Sequence, residues 1–243
     1  MKGIKVYIKR TDGKIIPYEY NYYLSISLYS KLGYYQENVM KLHTKNQQGI
    51  HTFSNIISTV SKNAINGLDI ENGFFIFRSV DSSLVDYLRM GFTLDPYIRV
   101  SEVTYKVTGI KDDVFLELSD SNFNFVSISP VLVRDFSAKN KFVNDGKDVD
   151  RNLTLISKWT LNNIYKLPLE KTENLKIELT SAKGKTVKIS NSKKKESITT
   201  AFQIKGTITG SSEALKILYY KGLGSKTSLG LGCWRVLDGI SSI

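Results

Sequence analysis

Apolar and polar residues alternate through IKVYIK, residues 4–9, which is the period of a half-buried strand. From residue 18 to 32, in YEYNYYLSISLYSKL, the spacing changes: Leu24, Leu28 and Leu32 recur at four and predict a helix. A second, shorter helix is expected over 36–43, QENVMKLH, followed by a strand over 73–79, GFFIFRS, and a helix over 82–92, SSLVDYLRMGF. Further strands are expected in RVSEVTYKV, 99–107, and VFLEL, 114–118. The second half starts with the apolar run FNFVSISPVLV, 123–133, and continues with a helix over 151–167. LKIELTS, 175–181, and SITTAFQIKGTIT, 197–209, read as strands flanking a lysine-rich run; a helix over 212–220 and a last strand in LGCWRVL, 231–237, complete the pattern.

Each half therefore reads strand, helix, strand, strand, helix, strand, the split βαβ order of a ferredoxin-like (RRM-like) domain. The expected fold is α+β with two such domains in tandem, residues 1–122 and 123–243, parted at the polar, turn-rich LSDSNFN, 118–124. Residues 137–150, SAKNKFVNDGKDVD, have the composition of a mobile surface loop.

Charge separates the halves more sharply than hydropathy does. Residues 1–120 hold 14 Lys and Arg against 13 Asp and Glu, whereas residues 121–243 hold 20 against 10, so nearly all of the net +11 belongs to the second half. Within it, KGKTVKISNSKKK, 183–195, carries Lys183, Lys185, Lys188, Lys193, Lys194 and Lys195 and no acid. Such a run is either a solvated loop or a hairpin that binds a polyanion, since each lysine set against a phosphate releases a counterion.

GLGSKTSLGLG, residues 222–232, is the second unusual stretch: Gly222, Gly224, Gly230 and Gly232 surround Lys226. Exposed amides in such a loop can cradle an anion, with Lys226 adding charge; the alternative is a tight structural connection. It lacks the G-x-x-x-x-G-K-[ST] order and does not open a helix after a first strand, which argues against ATP and dinucleotide binding. The lone Cys233 excludes an intramolecular disulfide, and no apolar run reaches the roughly 18 residues of a membrane span. The start, MKGIKVYIKR, is strand-like and charged, unlike a signal peptide, so a cytoplasmic protein without a membrane partner is expected.

Written as G-h-G, five residues with a lysine, then G-h-G, where h is hydrophobic, residues 222–232 resemble the C-terminal signature of the CRISPR-associated repeat-processing endoribonucleases, Cas-six type members of the repeat-associated mysterious protein superfamily. PYEYNYYLSISLYSKL, KLHTKNQQGIHTFS, GFFIF and SISPVLV are similar to that family in kind and order, so the resemblance covers most of the chain. It implies tandem ferredoxin-like domains, cleavage of precursor CRISPR RNA within each repeat, and neither metal nor cofactor. Precursor CRISPR RNA is the implied partner, while subunits of an effector complex and a homodimer stay open. A non-catalytic repeat-binding subunit of such a complex is the competing class.

The resemblance also implies a site. Active members use a tyrosine in the first helix, a histidine near the second and a lysine soon after; Tyr29 in SLYSKL matches the first and His43 in KLH the second. An ungapped count puts the lysine position at Gly49, so Lys45 is the substitute. His51, the other of only two histidines, falls where the family has an aromatic or apolar residue and reads as structural. Self-cleavage of RNA needs a base, an acid and charge stabilisation, and histidine titrates in the right range. A free tyrosine has a pKa near 10, so Tyr29 as a base needs a cationic neighbour. Asp112 and Asp113, adjacent in GIKDDVF, read as a hairpin turn, without a further acidic cluster at two-metal spacing.

Overall fold

A computed structural model describes residues 1–33, 49–115, 122–138, 141–190 and 196–237. The chain divides into two compact units: Met1–Val114 with Ser228–Gly230, and Phe115–Thr227 with Leu231–Ile243.

The first unit contains β1 (Lys2–Arg10), α1 (Asn21–Gly33), β2 (His51–Phe53), β3 (Ser61–Ala64), β4 (Gly67–Ile70), β5 (Asn72–Ser79), α2 (Ser82–Leu94), β6 (Tyr97–Val100) and β7 (Val103–Asp112). Its main sheet has the order β2-β5-β1-β7-β6, all antiparallel. Without the β6 extension this is the ferredoxin-like order. Alternation on β1 buries Ile4, Val6 and Ile8, and the register sets Ile4 beside Phe77 and Val6 beside Phe75. Leu24, Leu28 and Leu32 of α1, with Leu84, Val85, Leu88 and Phe92 of α2, join the same core. Each fully buried Leu or Phe stabilises the fold by about 1.5–3 kcal/mol relative to an exposed one. Asp81 starts α2 by accepting a hydrogen bond from the Ser83 amide.

The second unit repeats the plan with β8 (Asn122–Ser127), α3 (Val149–Asn163), α4 (Leu169–Thr172), β9 (Lys176–Ser190), β10 (Glu196–Thr209), α5 (Ser212–Lys221) and β11 (Trp234–Val236). Its sheet order is β11-β8-β10-β9, again antiparallel. Trp234 is fully buried, edge-on to Phe125 and Tyr219, and its indole N–H donates to the Leu218 carbonyl of α5 at 3.0 Å. The α+β, tandem ferredoxin-like architecture read from the pattern is the one observed.

Two local readings are corrected. RVSEVTYKV is not one strand: it turns at Ser101 and Glu102, with Ser101 at φ 59°, into the β6–β7 hairpin. Asp112 and Asp113 consequently lie at the end of β7 rather than in a turn, and VFLEL is no strand at Val114 and Phe115, its remainder lying outside the described residues. Both aspartates are ion-paired: Asp112 with Arg89, and Asp113 with the Arg78 Nε at 2.6 Å, where Arg78 is 1% exposed. The helix expected over 36–43 lies outside the described residues.

Candidate functional site

Tyr29 follows Leu28 on α1, one position off the buried Leu24–Leu28–Leu32 stripe, so its side chain is half-buried against the core. His51 opens β2 and is 3% exposed, its ring stacked on Phe77 with centroids 5.4 Å apart. The Tyr29 hydroxyl and His51 Nε2 are 3.0 Å apart, a hydrogen-bonding distance. A third group comes from the glycine-rich stretch. Ser228 donates a hydrogen bond to the Tyr29 oxygen, which opposes the dominant effect of burial; burial nevertheless pushes the phenol up to about 12. A hydroxyl, a phenol and an imidazole are thus in contact, all within the first unit.

His43 and Lys45, the other two members of the expected catalytic set, lie outside the described residues. His51 is the group that sequence reasoning passed over. Its apolar-looking position in GIHTFS gave no local sign that its Nε2 meets Tyr29. Among the described residues no three of His, Cys, Asp or Glu converge as a metal-ligand set.

The glycine stretch is built for close packing. Gly222, Gly224, Gly230 and Gly232 all have positive φ, between 74° and 88°, and all are buried. At Gly224 a Cβ would sit 2.5 Å from the Leu132 carbonyl oxygen. The amides of Gly222, Leu223, Ser225 and Gly232 donate to the carbonyls of Leu218, Gly232, Leu132 and Pro130 at 2.8–2.9 Å. These four N–H groups are therefore satisfied inside the fold. Lys226 remains exposed, at φ 57°. Lys221 is buried beneath the loop, its Nζ within 3.3 Å of the Gly222 oxygen and 3.4 Å of the Gly224 oxygen; burial lowers its pKa to about 8.

Lys183 and Lys185 share one face of β9, opposite Gln203 and Ala201, in a stretch where residues 183–186 are all exposed. Lys188 pairs with Ile198 in the same hairpin, and Lys193, Lys194 and Lys195 lie outside the described residues.

Comparison with known proteins decides the family. Residues 15–111 match the model described as CRISPR-associated protein Cas6, N-terminal, and residues 110–236 match CRISPR associated protein Cas6, C-terminal. The chain belongs to the Cas6 family. Cas6 relatives align over most of the chain. A CRISPR-associated endoribonuclease-like protein Cas6 from Pyrococcus furiosus is 25% identical over 236 residues, covering 93% of this chain and 95% of the relative. An endoribonuclease-like protein Cas6nc from Pyrococcus horikoshii is 23% identical over 238 residues, with 93% and 95% covered. Among solved structures, one described as a RAMP protein binding different RNA substrates superposes with a TM-score of 0.82 at 21% identity, covering 98% of this chain and all of the other. Cas6 membership places the chain among proteins that process or bind CRISPR repeat RNA. Among the described residues, no helix of this Cas6 chain is long and apolar enough to cross a membrane.

Proposed function

We propose that this chain is a metal-independent endoribonuclease that cleaves precursor CRISPR RNA within its repeats, leaving a 2′,3′-cyclic phosphate and a 5′-hydroxyl. The observation that carries the reading is the family match across both halves, joined to a Tyr29 hydroxyl with the His51 imidazole 3.0 Å away. Tyr29 meets the attacking 2′-hydroxyl, His43 protonates the leaving 5′-oxygen and Lys45 offsets charge on the phosphorane. Lys183, Lys185, Lys188 and Lys193–Lys195 hold RNA phosphates along the hairpin, and Lys226 does so from the loop whose path Gly222, Gly224, Gly230 and Gly232 set.

The test is incubation with a set of CRISPR repeat RNAs in EDTA, one of them carrying a 2′-deoxy substitution at the cut position. Cleavage at one site, a cyclic phosphate end and complete protection by the 2′-deoxy substitution are the expected results. A product with a 3′-hydroxyl, or complete dependence on magnesium, removes the mechanism. His43→Ala is expected to slow single-turnover cleavage by roughly 10² to 10⁴, the range for one general acid or base, with RNA affinity within a few fold.

A repeat-binding protein without catalysis is the second reading. It is favoured by the Tyr29 phenol, which burial pushes up to about 12 and which is already hydrogen-bonded. Tight repeat binding with no cleavage under any of these conditions selects it.

A further inference from the structure

The burial of Tyr29 poses a chemical problem for the endoribonuclease reading. With its phenol pushed up to about 12, only about one molecule in 10⁵ carries a phenolate at pH 7. A tyrosine so placed is a poor base by itself. The neighbours supply a way round. Ser228 donates to the Tyr29 oxygen and so fixes one of its lone pairs. His51 Nε2 stands 3.0 Å from the same oxygen, where it can accept the phenol proton. Packing against Phe77 holds the imidazole in place.

We propose that Tyr29, His51 and Ser228 form a proton relay on the nucleophile side of RNA cleavage, with Tyr29 touching the 2′-hydroxyl and His51 acting through it as a positioning residue that takes up the proton. This rests on the endoribonuclease reading above. The 2′-hydroxyl donates to the Tyr29 oxygen, and the phenol proton points at His51 Nε2. As the 2′-oxygen forms its bond to phosphorus, its proton passes to the phenol oxygen and the phenol proton passes to Nε2. The bond from phosphorus to the 5′-oxygen breaks, its electron pair leaves with that oxygen, and a proton from His43 completes the 5′-hydroxyl. His51 is left as imidazolium and returns its proton through Tyr29 to water, while His43 regains one from water. At no stage is a free phenolate required. Ser228 strengthens its hydrogen bond as negative charge passes through the phenol oxygen.

The relay separates His51 from a purely structural histidine by a variant that keeps position but not basicity. His51→Gln retains an acceptor near the Tyr29 hydroxyl yet cannot take up a proton. It is expected to slow single-turnover cleavage of a repeat RNA cut by the wild-type protein by roughly 10², at unchanged thermal midpoint and with RNA affinity within a few fold. His51→Gln combined with Tyr29→Phe is expected to be no slower than the slower single variant, because both remove one relay. A solvent-isotope measurement on the unaltered protein avoids any question of folding. With a repeat RNA whose 5′-bridging oxygen at the cut is sulfur, the leaving group needs no proton, so the dependence on deuterium fraction reports the nucleophile side alone. A relay gives a curved dependence from two moving protons, and direct proton loss gives a straight line. A straight line, or His51→Gln cleaving like wild type, overturns the relay while leaving the endoribonuclease reading intact. A wild-type protein that binds repeat RNA without cutting it overturns both.

Discussion

Gly230, at φ 77°, lies against the ring of Phe53 so closely that a Cβ built there would come within 2.4 Å of Cε2. Phe53 is in β2, two residues beyond His51, and Gly230 is two beyond Ser228. The Asn21 side chain adds a hydrogen bond to the Gly230 carbonyl at 3.3 Å. Gly230→Val forces both a disfavoured φ and an overlap with an aromatic ring, and is expected to cost about 3 kcal/mol in a urea melt. Gly224→Val meets backbone rather than a ring, the Leu132 carbonyl, and is expected to be at least as damaging.

Lys183 and Lys185 are expected to act on RNA through charge alone. Replacing both by alanine should make the slope of log K against log salt shallower by roughly 0.7 for each phosphate no longer neutralised, as for single strands. A filter-binding series at several salt concentrations reads this directly. An unchanged slope assigns the two lysines to solvent.

Lys221 gives a stability effect whose sign can be worked out. Its pKa falls from 10.5 in the unfolded chain to about 8 in the fold because burial penalises the ammonium. Between about pH 8 and 10 the unfolded state therefore holds more protons than the folded one, and stability contributed by this group rises with pH. Below pH 8 the buried charge is a constant cost. Lys221→Met is expected to raise the thermal midpoint at pH 7, and the difference from wild type should shrink as the pH approaches 10.

Asp113 and Arg78 make the opposite case, a buried pair that is stabilising only while both members are present. Arg78 is 1% exposed, and its Nε lies 2.6 Å from Asp113 Oδ2. Asp113→Asn removes the carboxylate paired with the Arg78 Nε and is expected to destabilise the protein by about 3 kcal/mol in denaturant melts. Asp112→Asn removes an ion pair whose aspartate is largely exposed, and is expected to change stability by less than about 1 kcal/mol.

Period alone made the sheets and their covering helices legible, because β1 alternates cleanly and α1 carries Leu24, Leu28 and Leu32 on one stripe. The β6–β7 turn escaped because Ser101 and Glu102 are merely two polar residues in a β-rich run, and only the positive φ of Ser101 marks the reversal. The β3–β4 hairpin escaped for another reason: Ser61, Lys62 and Asn63 are all exposed, so no alternation signals a strand. Tyr29 was singled out as a candidate by the motif around it. His51 and Ser228 were not, because their partnership with Tyr29 is formed by tertiary packing and leaves no local pattern in GIHTFS or in the glycine stretch. Glycine permits the positive φ that all four loop glycines adopt without requiring it, and the direction of their neighbours' amides left no mark in the sequence.

The N-terminal unit is discontinuous: Met1–Val114 is completed by Ser228–Gly230. On a ribosome adding about 5–20 residues each second, the first 114 residues emerge roughly ten seconds before that last segment is made. During this interval the nascent chain lacks the serine that contacts Tyr29. The same division governs any attempt to cut the protein in two. A fragment ending at Val114 retains Tyr29 and His51 without Ser228, and regains the serine only if a peptide carrying Ser228–Gly230 is supplied in trans.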